Sequence, residues 1–315
     1  MTKVLEALKI YIKEYFHGKL YLWIAIFLTI SIILNYYFDF EDSYIDSYRG
    51  KSIRMLWYFL IQSIPYYIVC LLIAKFTAYK AFLKSKTFWL VSIFGFIVQG
   101  LNRSFYYHAT VVKTLSSDIL YFVYQLLDDA SSIIIIAVPL LIYYIIWERK
   151  RMENFYGLTK NISDLKPYLF MLSIVFLLMI PASFLPDFQA TYPHYQVARG
   201  WRAAGYLDVP EWLIVASFET MYGISFLVVE LFFRGFLILV FMRYLGPYVV
   251  LPMVATYVFL HFGKPLGETI SSAFGGYVLG ILVYKTKNIW GGVVIHMGVA
   301  LSMELVAYLQ KMFFQ

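Results

Sequence analysis

Val228-Val229-Glu230-Leu231-Phe232-Phe233-Arg234-Gly235 sets a carboxylate and a guanidinium four residues apart inside an otherwise apolar run. An ionisable side chain in hydrocarbon costs about 2.5 to 3.5 kcal/mol even on the lenient insertion scale, so a retained pair marks positions facing protein or a cavity. Residues four apart share one face of a helix, where Glu230 and Arg234 can satisfy each other. The stretch therefore predicts a membrane-crossing helix with a polar site on its inner face. Two later histidines, His261 and His296, also lie in apolar segments with few other ionisable residues and extend that site.

The rest of the chain agrees. Its 315 residues are 61% hydrophobic and 14% charged, with a mean hydropathy of +0.70, far from the usual composition of a soluble domain. Windows of about 20 apolar residues recur along its length, which predicts helices and not the alternating strands of a barrel. The expected fold is an all-α, polytopic membrane helical bundle of eight or nine transmembrane helices. A formal charge of +7 is scattered through the loops between spans. Topology and anionic lipid explain it, and no nucleic-acid partner is expected. Cys70 is the sole cysteine, which rules out an intramolecular disulfide and a multi-thiolate zinc site.

Three regions follow in order. Residues 1–18 read as an amphipathic interfacial helix, 19–209 as the N-terminal transmembrane helices, and 210–315 as a C-terminal transmembrane core. The spans are expected at 20–38, 55–74 and 88–101, then in a fourth stretch reaching Trp147, and then from Pro167 to Pro186. The last four lie at 211–244, 249–261, 270–284 and 289–308. The first has a basic flank like a signal peptide, but it is long and has no small-residue cleavage pattern, so it is read as retained. The 211–244 segment is one very long helix, or two joined near Gly223. Asp39, Glu41, Asp42 and Asp46 read as a solvated loop, Asp128-Asp129 as a carboxylate pair near the water boundary, and 187–210 as an ordered surface connection. Lys and Arg concentrate at the N-terminus, at 75–86 and in the 149–166 loop. These are alternate loops, so the positive-inside rule places the N-terminus in the cytoplasm of a multi-pass protein. Measured from the cytoplasmic ends at about 1.5 Å per residue, Glu230, His261 and His296 lie roughly 21, 18 and 10 Å deep.

At these residues the sequence resembles the CAAX-protease and bacteriocin-processing (CPBP or Abi) family of intramembrane endopeptidases, over about 210–310. Glu230-Leu-Phe-Phe-Arg234-Gly-Phe is similar to the first block of that family from its second Glu onward. Tyr257-Val-Phe-Leu-His261 is similar to the second, with Tyr in place of the usual Phe, and Ile289-Trp290-Gly-Gly-Val-Val-Ile-His296 to the third. Three blocks in order are far more specific than one. Two positions depart: Val229 stands where the family has its first Glu, and Ala300 where it has a final Asn or Asp. The resemblance implies that the family's first Glu and first His polarise a water for attack on a peptide carbonyl, while the second His and the Asn steady the oxyanion. Carried over position by position, it keeps His261 and His296 in those roles and Glu230 with Arg234 as the supporting pair, and it leaves Val229 and Ala300 as vacant motif positions; catalysis is then expected at Glu230, His261 and His296, with Glu230 standing in for the missing carboxylate. Losing an oxyanion donor costs about 10²- to 10³-fold, and losing a general base about 10²- to 10⁴-fold.

The implied function is hydrolysis of a peptide bond in a membrane-associated protein or peptide, in contact with the lipid bilayer. The alternative is a weak or inactive family member that binds a membrane partner or confers bacteriocin immunity, and Val229 and Ala300 favour it. Glu219, Glu268 and Glu304 are further carboxylates for the cavity, with Glu268 ranked first because it follows His261 across a short turn. His17, His108 and His194 receive no role. Two histidines and a Glu without His-Glu-x-x-His spacing or a nearby thiol make zinc the weaker reading, and no cofactor is expected.

Overall fold

Where an apolar run is long enough to span hydrocarbon, its backbone must satisfy itself, and every such run here is a helix. The structure, a computed structural model, describes residues 2–160 and 165–314. In order the helices are α1 (Thr2–Tyr15), α2 (Gly18–Phe38), α3 (Ile53–Phe76), α4 (Lys86–Ser104), α5 (Tyr107–Val112), α6 (Leu120–Tyr143), α7 (Lys166–Ala182), α8 (Pro186–Thr191), α9 (His194–Val197), α10 (Gly200–Leu207), α11 (Glu211–Glu230), α12 (Met242–Leu245), α13 (Val250–Leu260), α14 (Leu266–Thr286) and α15 (Trp290–Phe314). No strand occurs among the described residues. Seven helical segments among them are long and apolar enough to cross a membrane, a multi-pass integral arrangement. The other two segments counted from the sequence, α4 and α7, are also helical, at 19 and 17 residues.

α11 runs unbroken through Gly223 and passes directly into a π-helical segment, Leu231–Val240. All ten residues of that segment are buried. It is the axis of the core, with α13 and α14 packed beside it and α15 beside α11. No sequence pattern signals the π geometry, since a wider turn needs neighbours that bury its whole circumference. Leu22, Ile30 and Ile33 on α2 and Leu177 and Leu178 on α7 instead face outward, as side chains bathed in lipid do.

Tertiary packing corrects three expectations. Residues 39–46 are not a simple solvated loop, because Glu41 is buried. It accepts a hydrogen bond from the Tyr58 hydroxyl at 2.6 Å and pairs with Arg103 at 3.3 Å. Asp129 is likewise buried, while Asp128 stands 3.3 Å from His108. α1 is also more than an interfacial float: Tyr11 is fully buried and its hydroxyl donates to the Pro247 carbonyl at 2.5 Å. Part of the basic loop, 161–164, lies outside the described residues.

The connection 187–210 folds into the short helices α8, α9 and α10, and Phe188, Tyr192, Tyr195 and Ala203 in it are buried. His194 starts α9 with its ring 4.7 Å from Tyr192 and 5.5 Å from Tyr222. Burial, aided by Lys264, pushes its imidazole from 6.5 down to about 3. A depressed histidine is held neutral in the folded protein while the unfolded chain binds a proton. Its stability contribution is therefore complete above about pH 6.5 and is lost as the pH falls toward about 3. We expect His194→Phe to be less acid-sensitive than the natural protein, with the two thermal midpoints in detergent diverging as the pH is lowered from about 7 to about 4. Parallel midpoints across that range would contradict it.

Candidate active site

Side chains from four elements, α11, the π segment, α13 and α15, gather around Tyr257. Glu230 is the last α-helical residue of α11 and Arg234 lies one turn on, both with no solvent exposure. The Arg234 Nη1 is 2.9 Å from Glu230 Oε1. The pair is close but not aligned as a hydrogen bond, and the guanidinium nitrogens have no hydrogen-bond partner among the described residues. The cation sits instead on the face of Tyr257, with Cζ 4.1 Å from the ring centroid. A cation held over a desolvated aromatic ring is stabilised by about 2 kcal/mol or more.

Glu230 Oε1 also receives the Nδ1 of His296, on α15, at 3.0 Å. A carboxylate only accepts, so the His296 Nδ1 carries the proton, and in the neutral ring Nε2 is then an acceptor. That nitrogen is 3.2 Å from the Tyr257 hydroxyl, which donates to it. The His296 ring rests 4.5 Å from that of Phe226.

His261 closes α13. The backbone N–H of His261 turns back to the Val258 carbonyl, as helix ends do when the last turn tightens. The Tyr257 carbonyl takes the His261 Nδ1–H instead, at 2.8 Å. One of the orphan carbonyls of a helix terminus is satisfied this way, and the ring is locked with Nε2 as its free lone pair. The Thr269 hydroxyl donates to the His261 carbonyl at 2.6 Å and anchors the turn from the other side.

Tyr257 is thus the hub: its ring centroid is 4.5 Å from that of His261 and 6.0 Å from that of His296, so both histidines pack against one ring. Gly276 of α14 makes this possible, because a Cβ there would stand 3.0 Å from the Tyr257 ring. In the sequence this tyrosine reads only as a replacement for Phe. The available signal was its place four residues before His261, on the same helical face, together with the need of a buried phenol for a partner.

The structure brings Glu230, Arg234 and His296 into direct contact, and His261 to the same ring. It does not join Glu230 to His261: the carboxylate's partner is the second histidine. The three further carboxylates are engaged elsewhere or alone. Glu268 accepts from the Tyr192 hydroxyl at 2.8 Å, Glu304 accepts the backbone N–H groups of His194 and Tyr195, and Glu219 keeps a buried oxygen without a partner. Val229 is half-buried and Ala300 buried, so neither vacancy is filled by a polar atom of its own. No group of three or more His, Cys, Asp or Glu side chains among the described residues is arranged to hold a metal ion.

Gly292, on α15, faces the other oxygen of Glu230: a Cβ at that position would overlap Oε2. Overpacking a tight interior costs about 1 to 3 kcal/mol. Gly292→Ala is expected to lower the thermal midpoint and displace Glu230 from His296. Gly275→Ala, where nothing lies within 4 Å of the added carbon, is the control. Equal midpoints for the two variants would refute the close approach.

This arrangement, buried charges and two histidines on apolar helices, is that of a site built inside a membrane. Comparison with known families agrees: residues 211–302 match the family model described as type II CAAX prenyl endopeptidase Rce1-like. That stretch is therefore an Rce1-like CAAX-protease domain, and the family is one of intramembrane endopeptidases. It contains Glu230, Arg234, Tyr257, His261, His296 and Ala300. No curated protein and no solved structure matches the chain.

Proposed function

We propose that the protein is an intramembrane endopeptidase that hydrolyses a peptide bond of a membrane-associated protein or peptide, with α4 and α7 completing a bundle of nine membrane helices and the N-terminus in the cytoplasm. The observation that carries the reading is the locked His261 ring. Its Nδ1 is committed to a backbone carbonyl 2.8 Å away, which leaves Nε2 as a base beside the tyrosine that His296 also touches. A general base so placed contributes about 10²- to 10⁴-fold. Glu230 acts through His296, fixing its tautomer and orientation, and Arg234 balances the buried carboxylate. This differs from the division of labour that the resemblance implies, because Glu230 is tied to the second histidine and Val229 cannot bind a water.

Val229 and Ala300 favour one other reading, a non-catalytic family member that uses the same cavity to bind a membrane partner or to confer immunity against a peptide toxin. The test is to place the purified protein in lipid nanodiscs with a membrane-anchored peptide library and to follow cleavage by mass spectrometry. Cleavage at defined bonds supports the peptidase. A folded protein that cleaves nothing, yet retains individual peptides, would replace that reading with the binding one.

A further inference from the structure

We propose that the Tyr257 hydroxyl is the oxyanion donor of this site; the assignment rests on the peptidase reading above. Hydrolysis of an amide places negative charge on the carbonyl oxygen, and a donor aimed at that charge is commonly the largest single contribution to rate. The candidates around the His261 ring can be taken in turn. Glu230 only accepts. Both nitrogens of His296 are engaged, Nδ1 with Glu230 at 3.0 Å and Nε2 with Tyr257 at 3.2 Å. The Arg234 guanidinium is held between the face of the Tyr257 ring, with Cζ 4.1 Å from its centroid, and Glu230 Oε1, 2.9 Å from its Nη1, so its charge is committed to the buried carboxylate. Ala300, one turn beyond His296, has no polar side-chain atom. The hydroxyl of Tyr257 remains, on a ring 4.5 Å from that of His261.

Its surroundings suit the task. A phenol O–H turns about its C–O bond, so the proton it donates to His296 Nε2 can swing to an oxygen on which charge gathers. A cation on the ring face favours donation from the hydroxyl. The ring itself is held by Phe233 at 5.2 Å, by His261, and by the gap at Gly276. His296 and Glu230 then become positioning residues, since they aim the hydroxyl and do not themselves meet the substrate.

The steps balance. Water attacks the carbonyl carbon as His261 Nε2 takes one of its protons, and the C=O π pair moves onto oxygen, where Tyr257 donates. When that pair returns, the C–N bond breaks and the leaving amine takes the proton from His261, giving a carboxylic acid and an amine.

The experiment compares the natural protein, Tyr257→Phe and His261→Ala in nanodiscs, using the best-cleaved sequence from a membrane-anchored fluorogenic peptide library and the phosphinate analogue of that sequence. The expected result is a kcat about 10²- to 10³-fold lower for Tyr257→Phe with KM unchanged, because only the transition state uses the donor. Phosphinate affinity should fall by a similar factor while the parent peptide binds as before. A fluorinated tyrosine at 257, which keeps ring and hydroxyl, should move the high-pH limb of kcat downward. It also serves if Tyr257→Phe does not fold. Full activity of Tyr257→Phe beside a dead His261→Ala would overturn the donor assignment and leave the peptidase standing. A low kcat with undiminished phosphinate binding would overturn the donor assignment as well. No cleavage by the natural protein overturns both.

Discussion

Glu230→Ala is expected to destabilise the protein more than Arg234→Ala, although each removes half of one ion pair. Breaking a buried pair costs about 3 to 5 kcal/mol because it strands the other charge, and the two stranded charges are not equivalent. A carboxylate left by Arg234→Ala can take up a proton and still accept from His296 at 3.0 Å. A guanidinium left by Glu230→Ala cannot neutralise itself, has no solvent exposure, and keeps only the Tyr257 ring 4.1 Å away. The double variant Glu230→Leu with Arg234→Leu should recover much of the loss, since apolar replacement of a whole buried pair is often close to neutral. Yield and thermal midpoint in detergent are the measurements. If Arg234→Ala proves as damaging as Glu230→Ala, or worse, the two charges are not asymmetric in this way. His296→Ala should fall below both in cost, because it removes hydrogen bonds without stranding a charge that cannot be quenched.

For His261→Ala the effect should be nearly all catalytic. The fold loses one side-chain hydrogen bond to the Tyr257 carbonyl, worth about 1 kcal/mol, whereas cleavage should drop about 10²- to 10⁴-fold with the base gone. The measurement is kcat on the best-cleaved library peptide, alongside the melting curve. A cleaving protein indifferent to this substitution would move the base elsewhere, and Glu219, with its unpartnered buried oxygen, would be the next residue to replace. A non-catalytic member of the family would behave differently again: His261→Ala would leave peptide retention untouched.

The sequence by itself determined the membrane class, the order and approximate ends of the helices, and which residues cannot face lipid. Those conclusions depend only on properties local to the chain. About 20 apolar residues suffice to span hydrocarbon, and an ionisable group inside such a run has to turn inward wherever its helix sits. The three blocks around Glu230, His261 and His296 were legible for the same reason, and the matched segment 211–302 coincides with the region they mark out. The tertiary structure alone decided who touches whom. Helical periodicity tells which residues share a face of one helix but not the rotation and shift between helices packed about 8 to 10 Å apart. Thus Glu230 and Arg234 could be paired from their spacing, while the choice of His296 over His261 as the carboxylate's partner could not. The π turn after Glu230, the burial of Glu41 against Tyr58 and Arg103, and the central place of Tyr257 belong to the same category. Each is set by neighbours from distant parts of the chain that enclose the residue, because burial from every side leaves a wide helical turn, a carboxylate or a phenol only the partners within reach.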